Sequence, residues 1–148
     1  MEHAIDEGTR LAIRRTYDAP VATVYTAWTD PQQMRDWMGP SDAFGPSDVT
    51  LDFRVGGRYR IVMHGPNDET HRVGGVYREI VPNRKLVYTW AWESTPERES
   101  LVTVEFRSAG QGTELVLTHE RFADTEARDK HQQGWNGCLD RLGRYLSK

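Results

Sequence analysis

Apolar and polar residues alternate along most of this chain, and Gly, Pro, Asn and Asp interrupt the alternation at regular intervals. Over residues 9–17, Leu11 and Ile13 share a side with Arg15 and oppose Ala12, Arg14 and Thr16, which predicts a first strand. Asp18-Ala-Pro20 then signals a helix start, because Asp18 can cap and Pro20 is pre-organised for the first turn; the helix is expected to end near Trp28. Asp30-Pro31-Gln32-Gln33 repeats that signal, with Asp30 as cap, Pro31 at the first helical position and Gln33 completing a capping box. This second short helix carries Met34, Trp37 and Met38 and stops at Gly39-Pro40.

Residues 41–47 read as loop. Residues 49–55 alternate into Gly56-Gly57, a hairpin signal because primed turns need positive φ, and the return strand puts Tyr59, Ile61 and Met63 on one face. A strand over 72–81 follows the turn at 65–68. Its facing stays open, since Gly74-Gly75 admits a bulge that would exchange inward and outward residues. Leu86, Tyr88, Trp90 and Trp92 share a face of the next strand. Val102, Val104 and Phe106, then Leu115, Leu117 and His119, do the same in the last two. Over 131–146 the period changes: Trp135, Cys138, Leu139, Leu142 and Leu146 fall on one side of a helix, with Asp140, Arg141 and Arg144 opposite. The order β-αα-β-β-β-β-β-β-α, with short connections, predicts an α+β fold: a curved antiparallel meander wrapped around a long C-terminal helix. A curved sheet gripping one helix leaves an apolar space between them, and the function is expected there.

Composition narrows the field. The 148 residues suit one domain over 1–148. A net charge of −3 gives no polyanion-binding surface, so no nucleic-acid partner is expected. No apolar run approaches the roughly 20 residues that cross a bilayer, so no membrane partner is expected either. Cys138 is the single cysteine and the chain start has no apolar signal region, which points to a cytoplasmic protein without an intrachain disulfide. Five Trp, six Tyr and four Phe could fill a core or line a pocket, and composition alone does not choose. A homodimer is a further expectation, from the prevalence of symmetric dimers.

Several segments together resemble a known family. They are Asp18-Ala-Pro20 through Trp28-Thr-Asp30-Pro31, Trp37 with Gly39-Pro40, Gly56-Gly57-Arg58-Tyr59 and Gly75-Val-Tyr-Arg-Glu79-Ile80-Val-Pro82. Leu86-Val-Tyr88-Thr-Trp90, Gly112-Thr-Glu-Leu115-Val-Leu117-Thr-His119-Glu and Gly134-Trp135 complete the set. In this order they resemble the activator of Hsp90 ATPase homologue 1-like branch of the SRPBCC (START/Bet v 1-like) superfamily. The resemblance implies a helix-grip fold with a cavity between sheet and helix. Members of that superfamily include lipid and hormone carriers, polyketide cyclases and chaperone-ATPase activators, so it implies a cavity without fixing its use.

The candidate contacts follow from the inward faces. Tyr59, Tyr88, Trp90 and Trp92 form an aromatic row for a planar or apolar ligand, with Phe53, Val104, Phe106 and Leu117 beside Tyr59, Tyr88 and Trp90 as candidate contacts. Trp37 and Trp135 could bound the cavity from the helices, although anchoring helix to sheet is the commoner use of such residues. His119, at a strand end facing the helix, could orient a ligand or act as general acid/base. A structural histidine tied to the helix or to backbone is favoured over both, since no second catalytic group is fixed near it. His3, His64, His71 and His131 lack metal-ligand spacing with each other or with Cys138, so no metal and no cofactor are expected. Gly56-Gly57 and Gly74-Gly75 lie in strand–turn contexts and do not make a phosphate loop. The leading reading is a small-molecule binding protein for an apolar or aromatic ligand. The alternatives are a cyclase- or hydrolase-type enzyme using His119, or a module acting on a chaperone ATPase.

Overall fold

A computed structural model describes residues 8–148. His3 and the chain start lie outside the described residues. Strand β1 (Arg10–Tyr17) leads into helices α1 (Val21–Thr29) and α2 (Pro31–Trp37). Strands β2 (Asp48–Leu51), β3 (Arg58–His64), β4 (Thr70–Val81), β5 (Lys85–Trp92), β6 (Ser100–Ala109) and β7 (Gly112–Glu120) follow. Helix α3 (Thr125–Leu146) closes the chain. The seven strands form one antiparallel sheet in the order β1-β7-β6-β5-β4-β3-β2, so the meander ends beside the first strand. The curved sheet with α3 across it is the helix-grip arrangement that the periodicity predicts. No described helix is long and apolar enough to cross a membrane.

The alternation maps onto burial. Leu11 and Ile13 pair with His119 and Leu117 across β1 and β7, and all four are buried. Val102, Val104 and Phe106 on β6 and Leu86, Tyr88 and Trp90 on β5 extend the same inward face. On α3 the buried residues are Trp135, Cys138, Leu139 and Leu142, while Leu146 is half-buried at the helix end. Asp124 caps α3 by accepting the Ala127 N–H at 2.8 Å.

Local details depart from the sequence reading in four places. Pro20, not Asp18, occupies the cap position of α1, and its side chain makes no capping bond. Asp30 caps α2 through the Gln32 N–H, but the box stays open. The Asp30 N–H that Gln33 would have to reach is already given to Thr26 O at 2.9 Å, because Asp30 is at once the C-cap of α1 and the N-cap of α2. Strand β2 stops at Leu51 rather than running to residue 55, and the chain loops out, leaving Phe53 37% and Val55 60% exposed. In β4 the register shifts between Tyr77 and Glu79, not at Gly74-Gly75. Val73 and Tyr77 therefore both face the core.

Helix α3 is fastened along its length. The Tyr17 hydroxyl donates to Leu139 O at 2.9 Å from β1. Arg15 reaches Asp140 and Asn136 on the flank of α3. Asp42, in the loop after α2, pairs with Arg144 at 2.6 Å and Arg141 at 3.6 Å. Where α3 meets Pro40 there is no room for a side chain: a Cβ on Gly137 would sit 1.7 Å from Pro40 O. One turn earlier, a Cβ on Gly134 would lie 3.8 Å from the Pro40 ring, an ordinary contact. Two neighbouring helix glycines thus predict opposite outcomes. Gly134→Ala should stabilise by about 0.8–1 kcal/mol through helix propensity. Gly137→Ala should destabilise by about 3 kcal/mol or more, because backbone must move. Urea denaturation of the two variants beside the parent chain checks both signs.

Candidate functional site

The space between sheet and helix is not central. Around Tyr59 and Tyr88, where the aromatic row leads one to expect the cavity, only about 10 Å³ is open. Trp28, Met34 and Met38 from α1, α2 and the residue after it fill that end. A void of that size is at the lower limit for one water. The open volume lies at the other end, under the first half of α3, as a cleft of about 400 Å³.

Strands β3, β4 and β5 supply Met63, His71, Trp90 and Trp92 to the cleft. Pro40 and Phe44 close it from the loop after α2. Helix α3 contributes Lys130, His131, Gly134, Trp135 and Cys138, which recur at the spacing of one helix face. Trp90 and Trp92 meet edge to face at 5.6 Å and 84°, and Trp90 and Trp135 are tilted, at 5.1 Å and 47°. Cys138 forms part of the floor, and burial pushes its thiol up to about 12, so it is a neutral apolar surface there.

Two histidines brace the wall rather than line it with free chemistry. The Trp135 indole N–H, which can only donate, reaches His119 Nδ1 at 2.9 Å. That fixes the tautomer: His119 Nε2–H donates to Ser100 Oγ at 2.7 Å, and Ser100 donates onward to Trp90 O at 3.1 Å. His131 repeats the logic, accepting from the Trp92 indole at 2.9 Å and donating from Nδ1 to Ala127 O at 2.7 Å. The His119 ring is fully buried and lies 4.2 Å from the Phe122 ring. Burial holds the pKa of His119 well below the usual imidazole value, with the neighbouring His131 adding to the effect. Burial also lowers His131, partly offset by its bond to Ala127 O.

The sequence candidates separate into groups. Trp90, Trp92 and Trp135 line the cleft. His119 stands directly behind Trp135 as its acceptor and is not itself on the wall. Trp37 is fully buried away from it, donating to Ala27 O at 3.0 Å and packing on Trp28 at 4.8 Å. Tyr59 donates to Thr89 O and Tyr88 packs against it at 5.3 Å, both around the small void. Val104, Phe106 and Leu117 are core, and Phe53 is on the surface beside Tyr77. Sequence reasoning missed Phe44, Pro40, Met63, His71, Lys130 and His131 as wall residues. For the two on α3 the signal existed, since His131 and Lys130 stand about one turn before Trp135. Among the described residues no group of His, Cys, Asp and Glu could hold a metal.

A helix-grip domain with an apolar cleft under its long helix belongs, as a class, with the Bet v 1-like folds. The comparisons narrow this. The model of the family described as Activator of Hsp90 ATPase homolog 1-like protein matches residues 18–147, and the chain belongs to that family. It is similar to a solved protein from Rhizobium leguminosarum, at 32% identity over 93% of each chain, with a TM-score of 0.75. A Chromobacterium violaceum protein shares its fold at 24% identity, covering 95% of this chain and 98% of its own, with a TM-score of 0.83. So does a protein of the same family from Aeromonas hydrophila, at 24% identity, 93% and 92% coverage and a TM-score of 0.78. A search of curated proteins finds no match.

The neutral histidines predict a pH dependence of stability. The unfolded chain takes up protons near the ordinary 6.5, and the folded chain resists them to lower pH. Stability is therefore complete above that value and is lost as pH falls from it toward the depressed folded pKa of His119. Within that window the slope approaches about 1.4 kcal/mol per pH unit for one such group. The urea midpoint should fall on acidification below 6.5, and His119→Gln should flatten the fall while lowering the plateau.

Proposed function

We propose that the protein binds a small apolar, aromatic molecule in the cleft under the first half of α3 and carries or sequesters it in the cytoplasm. The observation behind this reading is the wall itself. Three indoles, Phe44 and Met63 surround about 400 Å³, within the usual range for small-molecule sites. Driving force comes from burying ligand apolar area, at roughly 25 cal/mol per Å². Rigidity comes from the hydrogen bonds that hold Trp92 and Trp135, which leave little to reorganise on binding.

An enzyme built on His119 has less support. Both its ring nitrogens are engaged within the protein, and it lies behind the wall. A general acid/base must reach the proton it moves. The family's name favours chaperone activation, but an apolar cleft of about 400 Å³ favours ligand binding.

A cavity-filling variant tests it. Gly134 lines the cleft and has space for a side chain, so Gly134→Leu should place an isobutyl group inside without disturbing α3. Binding of N-phenyl-1-naphthylamine, followed by its fluorescence, should weaken at least about tenfold, or 1.4 kcal/mol, in that variant. Unchanged binding with a native fold would place the ligand elsewhere and refute the reading.

A further inference from the structure

The cleft has an electrostatic polarity as well as an apolar body. Of the residues that line it, Lys130 is the one with a permanent charge, and no carboxylate is on the wall. Its counter-ion on the same helix, Glu126, stands 3.4 Å away, with the two side chains 75% and 76% exposed. Such a pair is weak in water and leaves the ammonium able to take a second anion. Across the cleft, His71 contacts Glu69 at 3.3 Å, also in the open, and packs on Phe44 and Trp92. The histidine on the wall beside Lys130, His131, is neutral and both its nitrogens are used. Three indoles could by themselves hold a cation over their faces. Lys130 at the same wall works against that and favours the opposite sign.

Volume sets the body. A cavity of about 150 Å³ takes one benzene ring, so roughly 400 Å³ has room for two or three. The indoles, set at 84° and 47° to one another, offer flat surfaces for such rings. Resting on the cleft reading above, we infer that the ligand is a flat anionic amphiphile: two or three aromatic rings among Trp90, Trp92 and Trp135, with a carboxylate, sulfonate or similar group at Lys130. Lys130 is then the residue that sets the sign of charge the site takes, and the apolar wall supplies the bulk of the affinity.

Two probes with one ring skeleton separate these contributions. N-phenyl-1-naphthylamine is neutral, and 8-anilinonaphthalene-1-sulfonate adds a single sulfonate. Both are titrated into the parent chain, Lys130→Gln and Gly134→Leu, and the ratio of the two dissociation constants is read in each. The parent should prefer the sulfonate at least about threefold, a preference that shrinks with added salt, and the ratio should move toward one in Lys130→Gln. Equal constants in the parent, or a preference that survives in Lys130→Gln, would overturn the assignment. So would tighter binding of a trimethylammonium derivative of the same skeleton, which would make the indoles a cation cage. Gly134→Leu tells the two failures apart. If it weakens both probes while the parent ratio is one, only the charge assignment falls; if it weakens neither, the cleft reading falls and takes the charge assignment with it.

Discussion

A buried indole N–H has one way to be satisfied, by donating, and at Trp135 that requirement organises the site. Trp135 points its donor from α3 into the sheet, where His119 accepts it and passes a hydrogen bond through Ser100 to the backbone of Trp90. Helix, strand β7, strand β6 and strand β5 are thereby tied in one continuous chain. Removing a link would leave a buried donor or acceptor unpaired, at about 1–3 kcal/mol. The chain fixes the angle at which Trp135 faces the cleft, and His131 does the same for Trp92. His119 acts on the site by positioning Trp135, with both nitrogens committed, and that explains why an inward-facing histidine here need not be a catalyst.

The two short helices decide where the open volume falls. They pack Trp28, Met34 and Met38 against the tyrosines of β3, β4 and β5, with Trp37 behind Trp28, so one end of the gripped space is solid core. At the other end Trp90, Trp92 and Trp135 stand around the open volume, and α3 lies against the loop after α2. That loop approaches so closely that Gly137 has no space for a Cβ, and Asp42 clamps it to Arg141 and Arg144. The close approach brings Pro40 and Phe44 over the cleft. Fold stability and cleft shape therefore share the same contacts.

Much of the fold was legible because period-two and helical patterns reflect burial on one face, and here the inward faces of β5, β6, β7 and α3 carry little else than apolar residues. The departures are local. Val55 alternates with its neighbours yet is exposed, because the hairpin loop begins before Gly56-Gly57 and alternation does not reveal where pairing ends. The site was half legible. Trp90 and Trp135 announce themselves by size and facing, but Pro40 and Phe44 sit in a loop without a period, and only tertiary packing brings them over the cleft. Tyr59 and Tyr88 face inward as expected. No one-dimensional pattern shows that two helices fill the space in front of them.

If a ligand enters the cleft, it meets three of the five tryptophans. Indole N–H resonances report each tryptophan separately, so their nitrogen–proton correlation spectrum during titration with a neutral naphthyl probe is the most direct test. The indole signals of Trp90, Trp92 and Trp135 should shift together and saturate, while that of Trp37, tied to Ala27 O in the opposite end of the core, stays in place. A saturating titration in which Trp92 and Trp135 do not move, or in which Trp37 moves as far as they do, would contradict the account.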